Sequence, residues 1–197
     1  MKKIILLAIA MVLLALPMYA QKIIVDKTDD NGDRHIATDS ELIRAGLKDK
    51  NPFSFSLNYF SNTNNKIDTY GIFIEMVQMS NFQIPQGGVL LLKLSNGEII
   101  ESRQTLRDVD TEDIIGTYNQ YTKMRTHTIK CHYNMKEDEL NKIAMYGLSK
   151  IRLETKTGFL ESEYKTKQTD KSKTIFDERI KLIKSALTKH SDIRSGF

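Results

Sequence analysis

The chain has 197 residues, 29 Lys and Arg against 25 Asp and Glu, one cysteine and no tryptophan. A single cysteine excludes an internal disulfide, so stability must come from a packed core. The near-balanced charge gives no electrostatic case for nucleic acid, which calls for a basic patch.

Met1-Lys2-Lys3 is a short positive region, and residues 4–16 follow without a polar or charged side chain. Pro17 and then Met18-Tyr19-Ala20 close the segment. A positive start, an apolar stretch of this length and a small residue before Gln21 form the pattern of a cleavable secretory signal. The stretch falls short of the about 20 apolar residues that span a bilayer. We therefore expect export, cleavage near Ala20-Gln21, and a periplasmic or extracellular domain over 21–197. Without Lys2 and Lys3 the formal charge of +4 falls to +2.

Lys22 to Asp26 is rich in β-branched residues, and Arg34 to Thr38 is its expected hairpin partner. Asn31-Gly32 between them predicts a two-residue turn. Ser40 to Ile43 is readable as a short helix stopped by Gly46. Phe53, Phe55, Leu57 and Tyr59 alternate with Ser54, Ser56 and Asn58, the pattern of a half-buried strand. Residues 70–79 are apolar on both faces and predict a central strand covered on both sides. Residues 89–94 and 98–103 flank Ser95-Asn96-Gly97 and predict a second two-residue hairpin, with Leu94 opposite Ile99 and Leu92 opposite Glu101. Residues 104–120 are polar and poorly periodic; they predict a long connection, with a helical turn near Glu112–Ile115.

Residues 124–133 alternate again, with Ile129, Cys131 and Tyr133 on one face and Thr128, Lys130 and His132 on the other. Asn134 and Glu137 have capping-box spacing for a helix carrying Leu140, Ile143 and Ala144, with Gly147 at its end. Residues 149–155 and 159–164 predict another antiparallel pair. The run 165–173 holds Lys165, Lys167, Lys171 and Lys173 and reads as a charged linker, with a weaker reading as a contact for an anionic surface. Thr174 then caps a final helix with Phe176, Ile180, Ile183 and Leu187 along one stripe. Hairpins without intervening helices predict an α+β fold, a largely antiparallel sheet (curved or sandwich-like) with two helices of the C-terminal half packed against it.

Chemistry-bearing residues are sparse. Cys131 and His132 are adjacent, but neighbours on a strand point to opposite faces, so Cys131 reads as a core residue rather than a nucleophile. His127 lies four residues from Cys131, about 13 Å along a strand. His127 and His132 lie on opposite faces, and paired metal-ligand spacing is absent. The acidic run 26–33 fails as a calcium loop: with Gly32 at the loop glycine, Lys27 and Thr38 fall where acids are required. Gly87-Gly88 lacks the rest of a phosphate-binding loop. No catalytic, cofactor or metal residue is assigned, and no cofactor is expected. The function expected is a non-enzymatic binding or accessory module of the bacterial envelope, with an envelope protein or a glycan as partner. The alternative is an exported hydrolase using His35 or His127 with a carboxylate.

Overall fold

The computed structural model describes residues 22–45, 52–63, 67–78, 83–105, 109–110, 117–119 and 124–194. The expected signal segment, the Gly46 stop and the turn near Glu112–Ile115 lie outside the described residues.

In chain order the strands are β1 (Ile23–Thr28), β2 (Arg34–Thr38), β3 (Glu41–Ile43), β4 (Phe53–Asn62), β5 (Ile67–Gln78), β6 (Gln83–Ile84), β7 (Val89–Leu94), β8 (Ile99–Arg103), β9 (Val109–Asp110), β10 (Thr117–Asn119) and β11 (Met124–Met135). Helix α1 (Glu137–Tyr146), β12 (Leu148–Thr155), β13 (Gly158–Glu163) and helix α2 (Thr166–Arg194) complete it. A seven-stranded sheet runs β1-β2-β4-β5-β11-β10, with β3 also pairing to β4. A four-stranded sheet runs β13-β12-β7-β8, and β6 pairs with β9. Every pairing is antiparallel. The two larger sheets meet where Gln104 bridges Tyr133 and Ser102 Oγ donates to the Asn134 carbonyl at 2.7 Å. The α+β reading holds: antiparallel sheets, with both helices late in the chain and packed against them.

One face of the large sheet makes the core. Phe53, Phe55, Leu57, Ile72, Ile74, Met76, Ile129, Cys131 and Tyr133 are buried there, and Leu90, Leu92, Ile151 and Leu153 join from the second sheet. Helix α2 lies against this face, with Phe176 at 5.9 Å from Phe55 between ring centroids. Each such side chain removed from water is worth roughly 1.5–3 kcal/mol. Two arginines fix the helix to the strands. Arg179, fully buried, donates to the Asp39 carbonyl at 3.2 Å, Asp39 Oδ1 at 3.3 Å and Glu41 Oε2 at 3.4 Å. Arg34 holds both oxygens of Asp26 at 2.9 Å and donates to the Ala186 carbonyl at 3.1 Å.

Several local expectations are corrected. β5 is central in the sheet but covered on one face only: Ile72, Ile74 and Met76 are buried, while Phe73 is half-buried and Val77 is 48% exposed. Both hairpins use three-residue loops. Asp29 N donates to the Asp33 carbonyl, Leu94 N donates to the Glu98 carbonyl, and Gly32 and Gly97 take φ of 83° and 92° as the last loop residue. The extra residue shifts the second hairpin by one, so Leu92 faces Ile100 and Ile99 points to solvent. Residues 41–43 form an edge strand on β4, not a helix.

Helix α1 starts two residues later than expected. Lys136 occupies the cap position and its N–H is held by Glu139 Oε2 at 2.8 Å. The 165–173 linker is also overturned, because α2 begins at Thr166. Its first turns bury Thr169 and Ser172, whose hydroxyls bond the carbonyl and N–H of Leu148. A buried face made of hydroxyls rather than hydrocarbons carries no apolar stripe, so Thr174 looked like the start.

Candidate functional site

The outer face of the seven-stranded sheet collects side chains from four strands. β2 supplies His35, β4 supplies Asn58 and Phe60, β5 supplies Gly71 and Phe73, and β11 supplies His132. Register makes them neighbours: His35 lies opposite Phe60, Asn58 opposite Gly71, and Phe73 opposite His132. Alternation put most hydrocarbons of these strands inward and left this face largely to polar residues, with Phe60, Phe73 and Val77 as exceptions.

His35 stacks on Phe60 with ring centroids 4.3 Å apart and planes 11° apart. Its Nε2 lies 3.1 Å from Asn58 Oδ1. An amide oxygen only accepts, so Nε2 carries the proton of this bond. His132 stands edge-on to Phe60 at 5.8 Å and tilts over Phe73 at 4.6 Å. It is 7% exposed. Its Nδ1 is 2.8 Å from Thr105 Oγ1, its N–H donates to Gln104 Oε1 at 3.0 Å, and its carbonyl accepts from Thr105 N at 3.2 Å. Nε2 has no hydrogen-bond partner among the described residues. It sits against Gly71, where a Cβ would collide with the imidazole. Burial pushes the His132 imidazole below its ordinary pKa, and the nearby His35 pushes it further the same way. The ring is therefore neutral at pH 7. Beside this cluster, Lys27, Asp33, His35, Phe60, Asn62 and Thr69 line an open groove of about 490 Å³.

The fold thus brings His35 and His132 together and separates both from Cys131, which faces the core. Burial raises the Cys131 thiol to about 12, so it is protonated and out of reach of either imidazole. The side chains of His127 and His190 lie outside the described residues. Among the described residues no group of three or more His, Cys, Asp or Glu side chains is placed to hold a metal ion. The acids of the first hairpin serve its fold. Asp29 Oδ1 accepts from the N–H groups of Asn31 and Asp33, and Asp33 accepts from Asn62 Nδ2 and Thr63 N. Lys165, Lys167, Lys171 and Lys173 lie in or just before the first turns of α2. Lys171 is drawn to Glu41 at 2.9 Å and Lys173 to Asp170 at 3.0 Å, which leaves less cationic surface than the sequence offers.

Sequence reasoning did not single out Asn58, Phe60, Gly71, Phe73 or Thr105. Their parity on alternating strands was the available signal; the strand order that joins them was not.

The fold defines an antiparallel α+β domain of two linked sheets packed on one long helix, and the site is a histidine and aromatic cluster on the outer sheet face. The chain matches no family model, no curated protein and no solved structure. No helix among the described residues is long and apolar enough to cross a membrane.

Proposed function

We propose that this protein is an exported, non-enzymatic binding or accessory module of the bacterial envelope, contacting its partner through the outer sheet face around His35, Phe60 and Phe73. One observation carries the reading: two half-buried phenylalanines sit beside a histidine on a sheet face that also presents Ser54, Ser56, Glu75 and Lys130, with Val77 exposed further along β5. Aromatic rings left partly exposed on a polar face gain most by being covered. The Lys2-Lys3 start and the apolar run 4–16 support export.

The test is chemical crosslinking in the native cell, then purification and mass spectrometry of what accompanies the protein. Phe73→Ser removes a ring from the patch, and Lys181→Glu alters an exposed position on α2. The reading expects a reproducible partner that Phe73→Ser loses and Lys181→Glu keeps, with melting temperatures recorded for both. A partner retained by Phe73→Ser refutes the patch; no partner in the wild type refutes the binding reading.

A hydrolase reading draws on the contact between Thr105 Oγ1 and His132 Nδ1. A working nucleophile–base pair has its base oriented by a third group. Here the other ring nitrogen faces Gly71, and the His35 bond goes to an amide. Thr105→Val abolishing turnover of an ester or glycoside substrate would establish this reading.

A further inference from the structure

We infer that His132 is an acid-operated latch joining the two large sheets: proton uptake drives its ring from the notch over Gly71 and frees Gln104 and Thr105 from β11. The geometry sets this up in three ways. First, His132 makes the junction. Its N–H, carbonyl and Nδ1 all contact Gln104 or Thr105, the residues that leave β8 and cross to β11. Second, the ring has a place for one N–H only. Neutral imidazole carries one proton and the cation carries two, whichever nitrogen starts protonated. Thr105 Oγ1 meets one nitrogen; the other abuts Gly71 and has no partner among the described residues. A buried N–H without an acceptor is costly, and more so on a charged group.

Third, among the described residues no neighbour offers the cation an unpaired anionic partner. β4 presents Asn58 and Phe60, β5 presents Gly71 and Phe73, and the crossing segment presents Gln104 and Thr105, all uncharged. β2 presents His35, which works against a charge on the His132 ring rather than for it. The Glu75 carboxylate further along β5 is paired with Lys130 of β11 at 3.3 Å. The latch is independent of whether the outer face binds a partner. If the face does bind one, acid would change its shape as well.

The test uses ¹⁵N-labelled protein purified after secretory expression, with His ring titration and amide hydrogen exchange followed by NMR from pH 7.5 to 5. His132 is expected to titrate below the ordinary value of about 6.5. Once exchange is corrected for its own pH dependence, the opening constants at the His132 and Thr105 amides should rise by up to about tenfold per pH unit from about 6.5 down to the folded-state value and level off beneath it, as for one proton taken up on opening. The Ile151 amide, in the middle of β12, should not follow. His132→Phe keeps a ring without titratable nitrogen, and its junction amides should lose the pH dependence. If that variant does not fold, the wild-type titration still decides. A His132 titrating at or above 6.5, junction amides that ignore pH, or Ile151 opening in step with them would each overturn the latch.

Discussion

Replacing Gly71 by alanine inserts a methyl group into space the His132 ring occupies. A Cβ built at Gly71 lies 3.0 Å from both Cδ2 and Cε1 of His132 and closer still to Nε2. Comfortable carbon contacts need about 3.5–4.0 Å, so the ring must move. It is held by Thr105 and wedged against Phe60 and Phe73. Overpacking of a filled site costs about 1–3 kcal/mol, and losing the Thr105 bond costs about 1 kcal/mol more. Gly71→Ala should therefore destabilise by about 2–4 kcal/mol, although alanine in a strand interior is otherwise favoured over glycine by about 0.5–1 kcal/mol. Urea unfolding followed by circular dichroism reads this directly. The decisive comparison is the double-mutant cycle with His132→Ala. With the ring gone, Gly71→Ala should be neutral or mildly stabilising, a coupling of about 2–4 kcal/mol. Additivity within about 0.5 kcal/mol would refute the notch.

Arg179→Met should lower stability by about 3 kcal/mol by urea unfolding, the low end for breaking a buried ionic contact, since Asp39 and Glu41 keep access to water. Ser172→Ala strips the acceptor from the buried Leu148 N–H and should cost about 1–3 kcal/mol in the same assay. Cys131, buried and with its thiol raised to about 12, should resist a thiol reagent at pH 7.5 in the native protein and react in denaturant. The pH profile of stability follows from His132. A folded-state pKa held below the ordinary value means its contribution is complete above about pH 6.5 and is lost as pH falls through the folded value; His132→Phe should flatten that limb of the curve.

The sequence spoke most clearly where one period dominated. Phe53 to Tyr59 alternates cleanly, and the strand is there with the inward face it implied. The opposition of Cys131 and His132 followed from the same period and holds. Errors arose where a single residue decides. Asn-Gly pairs fit two-residue turns, yet Gly32 and Gly97 each close three-residue loops; nothing local separates these until a partner strand fixes the register. The apolar faces of β5 looked equally buried because hydropathy does not say on which side a helix packs. Thr169 and Ser172 hid the start of α2 because they bury hydroxyls against the Leu148 backbone. The candidate site was the least legible part. His35 and His132 meet only through the order β2-β4-β5-β11, which no local pattern encodes. Gly71 gave no turn signal because its role is to make room for a ring.

The central claim, that the outer face around His35, Phe60 and Phe73 meets the partner, is tested most directly by a photo-crosslinking amino acid placed singly at Phe73 or at Lys181 in the native host. A specific adduct formed from position 73 and absent from position 181 is the predicted result. Adducts from position 181 alone, or none from position 73 in a correctly exported protein, would contradict it.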